Sequence, residues 1–359
     1  VLLASLADVS PFVALLKAVT ALSTSCTGTL VFSKSGIQIE VEYKRVLQAT
    51  AYLANSLFEE WNYQPVKRNT QEDDEETDDS DESAEIDIDL SILNEVLSIY
   101  GSSGGWSGGR NKWRNNDDRG YDEDEPRGPL DRYFGSRNKK TTSLRMSYLG
   151  EGHPLRLLLA ESAEGPTTVC QIHTLQSERR MELAFDDEDK IVKIIMKSSW
   201  LKDALSEIDS TCDYVSIICN PPQKITGTAK GRAAEAEVPI FRIEAKSIRG
   251  TVEASIMDYP NDREVLEFFE CGQSMRFHYS FDVLHHAIRA LAVSVKVSIR
   301  IDSEGVMSLQ FLMPTGPSNE RRTWMEFRVS QTLSQTRIVS YFRAVFGERR
   351  QSIIIIDSL

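Results

Sequence analysis

One succession of patterns occurs twice along this chain. An amphipathic helix, short alternating strands, a second helix and further strands fill the first half. After a long charged segment the same order begins again. Such a recurrence limits the fold more than any bulk figure, because it calls for two similar units side by side. The turning point is a strand at 168–175, a connector at 176–190, a strand at 191–196 and a helix at 199–208. The connector holds Glu178, Arg179, Arg180, Glu182 and the acidic run 186–189, with Met181, Leu183 and Phe185 as its apolar residues. So many charges place it on the surface.

Composition matters for what it excludes. No run approaches the roughly 20 apolar residues that a membrane helix needs. The five cysteines, at 26, 170, 212, 219 and 271, are odd in number and form no Cys-x-x-Cys pair, which favours reduced thiols and no zinc site. The formal net charge is −13, but residues 72–85 alone carry ten carboxylates and no base, and without them about −3 remains. The chain is therefore a nearly neutral body with an acidic insert, and a local basic face stays open to it.

The first helix is predicted over 8–22, with Ser10 as N-cap, Pro11 in the first turn and Phe12, Leu15, Leu16, Val19 and Leu22 inward. Strands follow at 27–32, 37–43, 46–53 and 57–63, the first two joined by the hairpin signal 33–36. Residues 65–85 read as a disordered acidic insert. A second helix at 90–100, capped by Asp89 or Ser91, precedes a flexible insert at 101–142; strands resume at 144–149, 155–160 and 169–175. Beyond the connector come the helix at 199–208, with Trp200, Leu201, Ala204, Leu205 and Ile208 inward, and strands at 214–219, 241–245 and 251–257. A fourth helix at 280–293 and strands at 295–301, 306–313 and 323–329 complete the set. Helices do not alternate singly with strands, so the pattern predicts an α+β fold of antiparallel sheets with helices on one face.

The segments 26–32, 93–103, 144–155, 169–174, 206–209, 291–302 and 308–310 together resemble the sliding DNA clamps of the proliferating-cell-nuclear-antigen type. More closely they resemble the Rad-one subunits of the nine-one-one DNA-damage checkpoint clamp. The likeness runs over about 5–330. Long inserts and the extension 330–359 depart from that family. The resemblance implies two similar clamp domains at 1–175 and 191–329, the connector 176–190 and a tail at 330–359. It implies a non-catalytic, nuclear subunit of a heterotrimeric ring around DNA, with sheets outside, four helices lining the hole and no cofactor. Its partners would be two non-identical clamp subunits, double-stranded DNA at primer-template junctions, an ATP-dependent clamp loader, and repair and checkpoint proteins; no membrane is involved.

The same resemblance implies sites. Ring closure by strand addition assigns one edge to Thr168, Val169, Gln171, His173 and Leu175, and the other to Thr251, Glu253, Ser255 and Met257. Lys17, Lys202, His285 and Arg289 would face DNA, where plain solvated helix faces are the alternative; Asn94 and Glu95 break the basic pattern. Met181, Leu183 and Phe185 would border a peptide pocket, with a simple linker as the alternative. In the tail, Gln335, Ile338, Tyr341 and Phe342 match the spacing of a clamp-binding peptide; an amphipathic helix packed on its own domain accounts for them equally.

Two other classes compete. Phe185-Asp186-Asp187-Glu188 imitates part of a two-metal 3′-5′ exonuclease site, but later carboxylate motifs to complete it are missing and a solvated acidic loop explains it. The five histidines (153, 173, 278, 285, 286) show no metal-ligand spacing, and neither a Walker A loop nor a nucleophile elbow is present. A checkpoint scaffold that never touches DNA is the third class, since the helix faces are weakly basic.

Overall fold

The computed structural model describes residues 2–20, 27–65, 83–99, 142–161, 165–177, 182–222, 239–246, 255–314 and 323–332. Met181, Thr251 and Glu253, most of both inserts, and Gln335, Ile338, Tyr341 and Phe342 of the tail lie outside these residues.

The first half runs β1 (Leu2–Leu6), α1 (Ser10–Val19), β2 (Thr27–Ser33), β3 (Gly36–Tyr43), β4 (Leu47–Ala54), β5 (Glu60–Tyr63), β6 (Ala84–Asp89), α2 (Leu90–Leu97), β7 (Ser143–Tyr148), β8 (Leu155–Ala160) and β9 (Thr167–Ile172). After the short β10 (Leu175–Gln176), the second half repeats that order. It runs β11 (Lys190–Lys197), α3 (Ser198–Glu207), β12 (Tyr214–Cys219), β13 (Phe241–Lys246), β14 (Ser255–Tyr259), β15 (Leu266–Cys271), β16 (Met275–Ser280), α4 (Phe281–Leu284), α5 (Ala287–Val293), β17 (Lys296–Asp302), β18 (Met307–Leu312) and β19 (Thr323–Val329).

Sheet topology repeats as well. The order β5-β1-β7-β8-β9 in the first half corresponds to β15-β11-β17-β18-β19 in the second, and β6-β2-β3-β4 corresponds to β16-β12-β13-β14. All pairings are antiparallel. The halves are joined where β19 pairs with β4, from Leu47 opposite Val329 to Leu53 opposite Thr323, so that a single ten-stranded sheet crosses the middle of the molecule.

The helices form a row on one side of the sheets, in the order α2-α1-α5-α3 by their packing. Alternation in the strands and the 3.6-residue stripe in the helices turn apolar residues into the layer between them, where Phe12, Leu15, Leu16, Leu30, Ile37 and Ile39 are fully buried. Each such side chain contributes about 1.5–3 kcal/mol. The hairpin foreseen at 33–36 exists, and a second turns at 302–305 between β17 and β18. Gly36 has φ +151° and Gly305 +82°; a Cβ on Gly36 would come within 2.0 Å of the Leu53 carbonyl oxygen.

Several expectations need correction. The first helix ends at Val19, and Asp8 rather than Ser10 holds its start: the Asp8 carboxylate accepts from the Ser10 N–H (2.9 Å) and hydroxyl (2.6 Å). The acidic insert is shorter than 65–85, because Ala84 and Glu85 already belong to β6. Here Asp87 is buried, accepting from the Thr29 hydroxyl at 2.6 Å, while Asp89 caps α2 through the N–H groups of Ser91 (2.8 Å) and Ile92 (3.3 Å). The strand expected over 168–175 stops at Ile172; Leu175 belongs to β10 and pairs with Asp87 of β6. The fourth helix is split at His285–His286 into α4 and α5. Trp200 is not inward but 44 % exposed. β1 and β15 were not foreseen.

Candidate subunit edges, helix face and connector

β9 ends the five-stranded sheet and β14 ends the four-stranded one; each has one partner strand, β8 and β13 respectively, among the described residues. Of the side chains expected at the first edge, Thr168, Val169 and Gln171 lie on β9, with Val169 50 % exposed, whereas His173 follows its end and Leu175 is on β10. At the second edge Ser255 and Met257 lie on β14, and the sequence did not single out Ile256, which is 51 % exposed beside them. Arg242 of β13 pins Asp258 of this edge, its Nη2 donating at 2.8 Å.

Other sheet ends are less open. β5 and β10 are short, and β15 carries the exposed Glu267 and Glu270. Past β19 the chain runs along β16, where the Thr332 N–H donates to the His278 carbonyl at 2.7 Å.

The internal seam shows what such edges do. β19 is the last strand of its sheet, as β9 is of the first, and β4 occupies the place in the first half that β14 occupies in the second. Helices flank the seam, α1 lying over β4 and packing on α5. The same surroundings recur at the open edges: α2 lies over β9, and the Tyr259 hydroxyl at the end of β14 reaches the Trp200 carbonyl of α3 at 3.5 Å.

On the solvent side of the helix row, Lys17 and Lys202 are partly exposed and His285 and Arg289 exposed. Glu95, Asp203, Glu207 and Asp282 share that side. Lys202 sits 3.5 Å from Asp203, and Asp282 is bound by Lys44 at 2.7 Å. The Lys44 hydrogen bond holds the Asp282 carboxyl below the usual carboxylate range. The face is therefore balanced in charge and not strongly basic.

The connector is fastened to the sheet face away from the helices. The Leu183 N–H donates to Gln48 of β4 (3.1 Å), and its carbonyl accepts from Arg328 of β19 (3.2 Å). Leu183 is consequently buried, 8 % exposed. The Arg300 guanidinium lies over the Phe185 ring at 4.9 Å and donates to Asp187 (2.8 Å), Ser308 (2.9 Å) and Glu326 (3.0 Å). Burial would raise the Asp187 carboxyl, but Arg300 and Lys190 hold it below its ordinary value. Asp186 caps the Glu188 N–H at 2.8 Å, and Asp189 accepts from the Ser303 hydroxyl. Two carboxylates in or beside the nuclease-like run, Asp187 and Asp189, are thus engaged in fastening the connector, and Asp186 caps a turn within it. Among the described residues no group of three or more His, Cys, Asp or Glu side chains could hold a metal ion. Cys170, Cys212, Cys219 and Cys271 are free thiols, and no described helix is long and apolar enough to cross a membrane.

The family profile described as "Repair protein Rad1/Rec1/Rad17" matches residues 1–313. The human "Cell cycle checkpoint protein RAD1" is 30 % identical over 281 residues, covering 78 % of this chain and 76 % of the human one. A Mycosarcoma maydis protein named "DNA repair exonuclease REC1" is 29 % identical over 199 residues, 52 % of this chain and 42 % of that protein. In fold, the chain is similar to the crystal structure of the PCNA2-PCNA3 complex from Sulfolobus tokodaii, with a TM-score of 0.58, 13 % identity, and coverage of 92 % of this chain and 98 % of that one.

Proposed function

This chain belongs to the Rad1/Rec1/Rad17 family of repair proteins, and on that premise we propose that it is a non-catalytic arc of a ring-shaped clamp that encircles DNA in the damage checkpoint, in the nucleus. Two domains, 1–175 and 191–329, joined by the connector 176–190, form the arc; 330–359 is a tail. The observation that carries this reading is the seam. A strand of one half completes the sheet of the other through β19 and β4, and the repeat leaves β9 and β14 as the corresponding edges, each with one partner strand among the described residues. Strand addition at both edges by two non-identical clamp subunits closes a ring and removes the hazard of exposed edges. The helix row then faces the hole, where Lys17, Lys202, His285 and Arg289 meet phosphates without regard to sequence. An ATP-dependent loader would open the ring at primer-template junctions, and repair and checkpoint proteins would dock on its outer side. The tail residues Gln335, Ile338, Tyr341 and Phe342 are a candidate clamp-binding peptide.

The exonuclease reading has one source outside this chain, the name of the Mycosarcoma relative. What supports the non-catalytic reading is the use made of the candidate carboxylates: Asp187 is spent on Arg300 and Lys190, and Asp189 on Ser303.

Light scattering of the chain alone and with the two other clamp-fold chains of its organism tests the proposal. A single 1:1:1 species is the expected result. A lone monomer or a homotrimer that ignores both chains would sink it.

A further inference from the structure

We infer that Cys219 and Cys271 are a reversible redox pair, in which Cys271 is the thiol that meets a peroxide and Cys219 the one that resolves it into a disulfide. The pair plays no part in the ring reading, and it is tested on the chain alone.

Two strand ends bring the sulfurs together. Alternation along β12 turns Val215, Ile217 and Cys219 into the core, and Cys219 is 0 % exposed. Cys219 stands opposite Met275 of β16. Cys271 ends β15, and the turn 272–274 carries the chain from there to Met275. That turn is pinned beside Cys219, because the Ser274 hydroxyl donates to the side-chain oxygen of Asn220 at 2.6 Å. The two thiols are in hydrogen-bond contact with each other, and both are free.

The surroundings of the two sulfurs differ. Cys219 is held protonated, since its hydrogen bond to Cys271 and its burial both push its thiol far up. Cys271 is lowered to about 7, because the hydrogen bond from Cys219 stabilises its thiolate against the cost of burial. Cys271 itself is 7 % exposed, but Gly272, Gln273 and Ser274 beside it are exposed, and a Cβ on Gly272 would meet nothing within 4 Å. The Cys271 thiol also donates to the Gln273 carbonyl of this turn at 2.9 Å. A thiol that ionises readily next to a solvent-facing turn is the attacking partner, and the protonated neighbour in contact with it is the resolving one.

The Cys271 thiolate attacks one oxygen of the peroxide. The S–O bond forms, the O–O bond breaks, and the departing oxygen takes up the proton that Cys271 released. The Cys219 sulfur then attacks the Cys271 sulfenic sulfur. The S–S bond forms, the S–O bond breaks, and the leaving hydroxide takes the Cys219 proton as water. Two electrons pass from the two thiols to the peroxide, and a dithiol reductant returns them by exchange. The disulfide ties the end of β15, in the ten-stranded sheet, to β12 of the four-stranded one, and closes a loop that contains β13 and the edge strand β14.

The test treats the full chain with hydrogen peroxide under native conditions, quenches it with an alkylating reagent in denaturant and digests it without reduction. The expected product is a peptide pair joined through Cys219 and Cys271, about 2 Da lighter than its two reduced peptides together and abolished by dithiothreitol. Cys219→Ala should leave Cys271 as a sulfenic acid that dimedone traps. Cys271→Ala should leave Cys219 a thiol, oxidised at least about 10-fold more slowly than Cys271 in the wild type. Circular dichroism shows whether each variant is folded, and the wild-type crosslink decides the pairing if neither is. If Cys219 and Cys271 both remain open to alkylation at a peroxide dose that oxidises Cys170, or if Cys271 joins another cysteine, the proposal falls. Trapping of Cys219 by dimedone in the Cys271→Ala chain would overturn the assignment of roles.

Discussion

Glu244 is the clearest case of a single side chain whose charge is settled by its neighbours. It lies on β13, 7 % exposed, with Lys246 at 2.6 Å and Arg276 of β16 at 3.1 Å. Burial works to raise its carboxyl, yet the two cations hold it below the ordinary 4.5. A depressed folded value adds stability that is complete above the unfolded value and is lost as pH falls through the folded one. Glu244→Gln should therefore cost about 1.5 kcal/mol at neutral pH. In denaturant titrations the gap between wild type and variant should close below pH 4.5. A gap that stays constant down to about pH 3 would mean that the lost packing, not the charge, matters. Nothing local in the sequence marks Glu244 as buried, because alternating charge along 241–246 reads as a solvent face.

At the scale of elements, the pattern of side chains located most strands and all helices but misjudged those whose polar residues are buried for a tertiary reason. β6 carries Glu85, Asp87 and Asp89 and reads as the end of an acidic insert until Thr29 is seen to satisfy Asp87. Trp200 belongs to the inward stripe of α3 by period alone, and it is exposed because no neighbour covers it in the single chain. The connector shows the opposite case. Its charges do place it on the surface, yet it is fastened there: Leu183 engages β4 and β19 at the seam, and Phe185 and Asp187 engage Arg300 of β17. Arg300 and Glu326 are the buried centre, with side chains 9 % and 6 % exposed. Arg300→Met alone should cost about 1.5–3 kcal/mol, since it leaves the buried Glu326 with Arg328, at 3.1 Å, as its remaining cation. Adding Glu326→Leu should recover most of that loss, and chemical denaturation of the two variants checks both signs. Equal stabilities for the single and double variants would show that the loss of Arg300 does not leave Glu326 under-compensated.

For the whole molecule, pairing between distant strands was the part the sequence could not show. The partnership of β4 with β19 has no local signature, whereas the twofold recurrence of helices and strands was plain. The same scale sets the strength of DNA contact. Lys17, Lys202 and Arg289 are the cations expected to face the hole, and Glu95, Asp203, Glu207 and Asp282 share their side of the helix row. With about 0.9 in slope per phosphate neutralised, replacing all three cations by glutamine should flatten the log affinity against log salt of the assembled ring by no more than about 3. A flattening of zero would favour a scaffold that does not touch DNA. The seam also fixes an order of events at the ribosome. Strand β4 is made early, but the strand that closes its edge emerges about 270 residues later, some 15–60 s at ordinary rates of synthesis. Through that interval the nascent chain holds an unsatisfied strand in the middle of its future sheet. A message cut short before the codon for Thr323 would yield a product that keeps it permanently, one suited to clumping and to capture by chaperones.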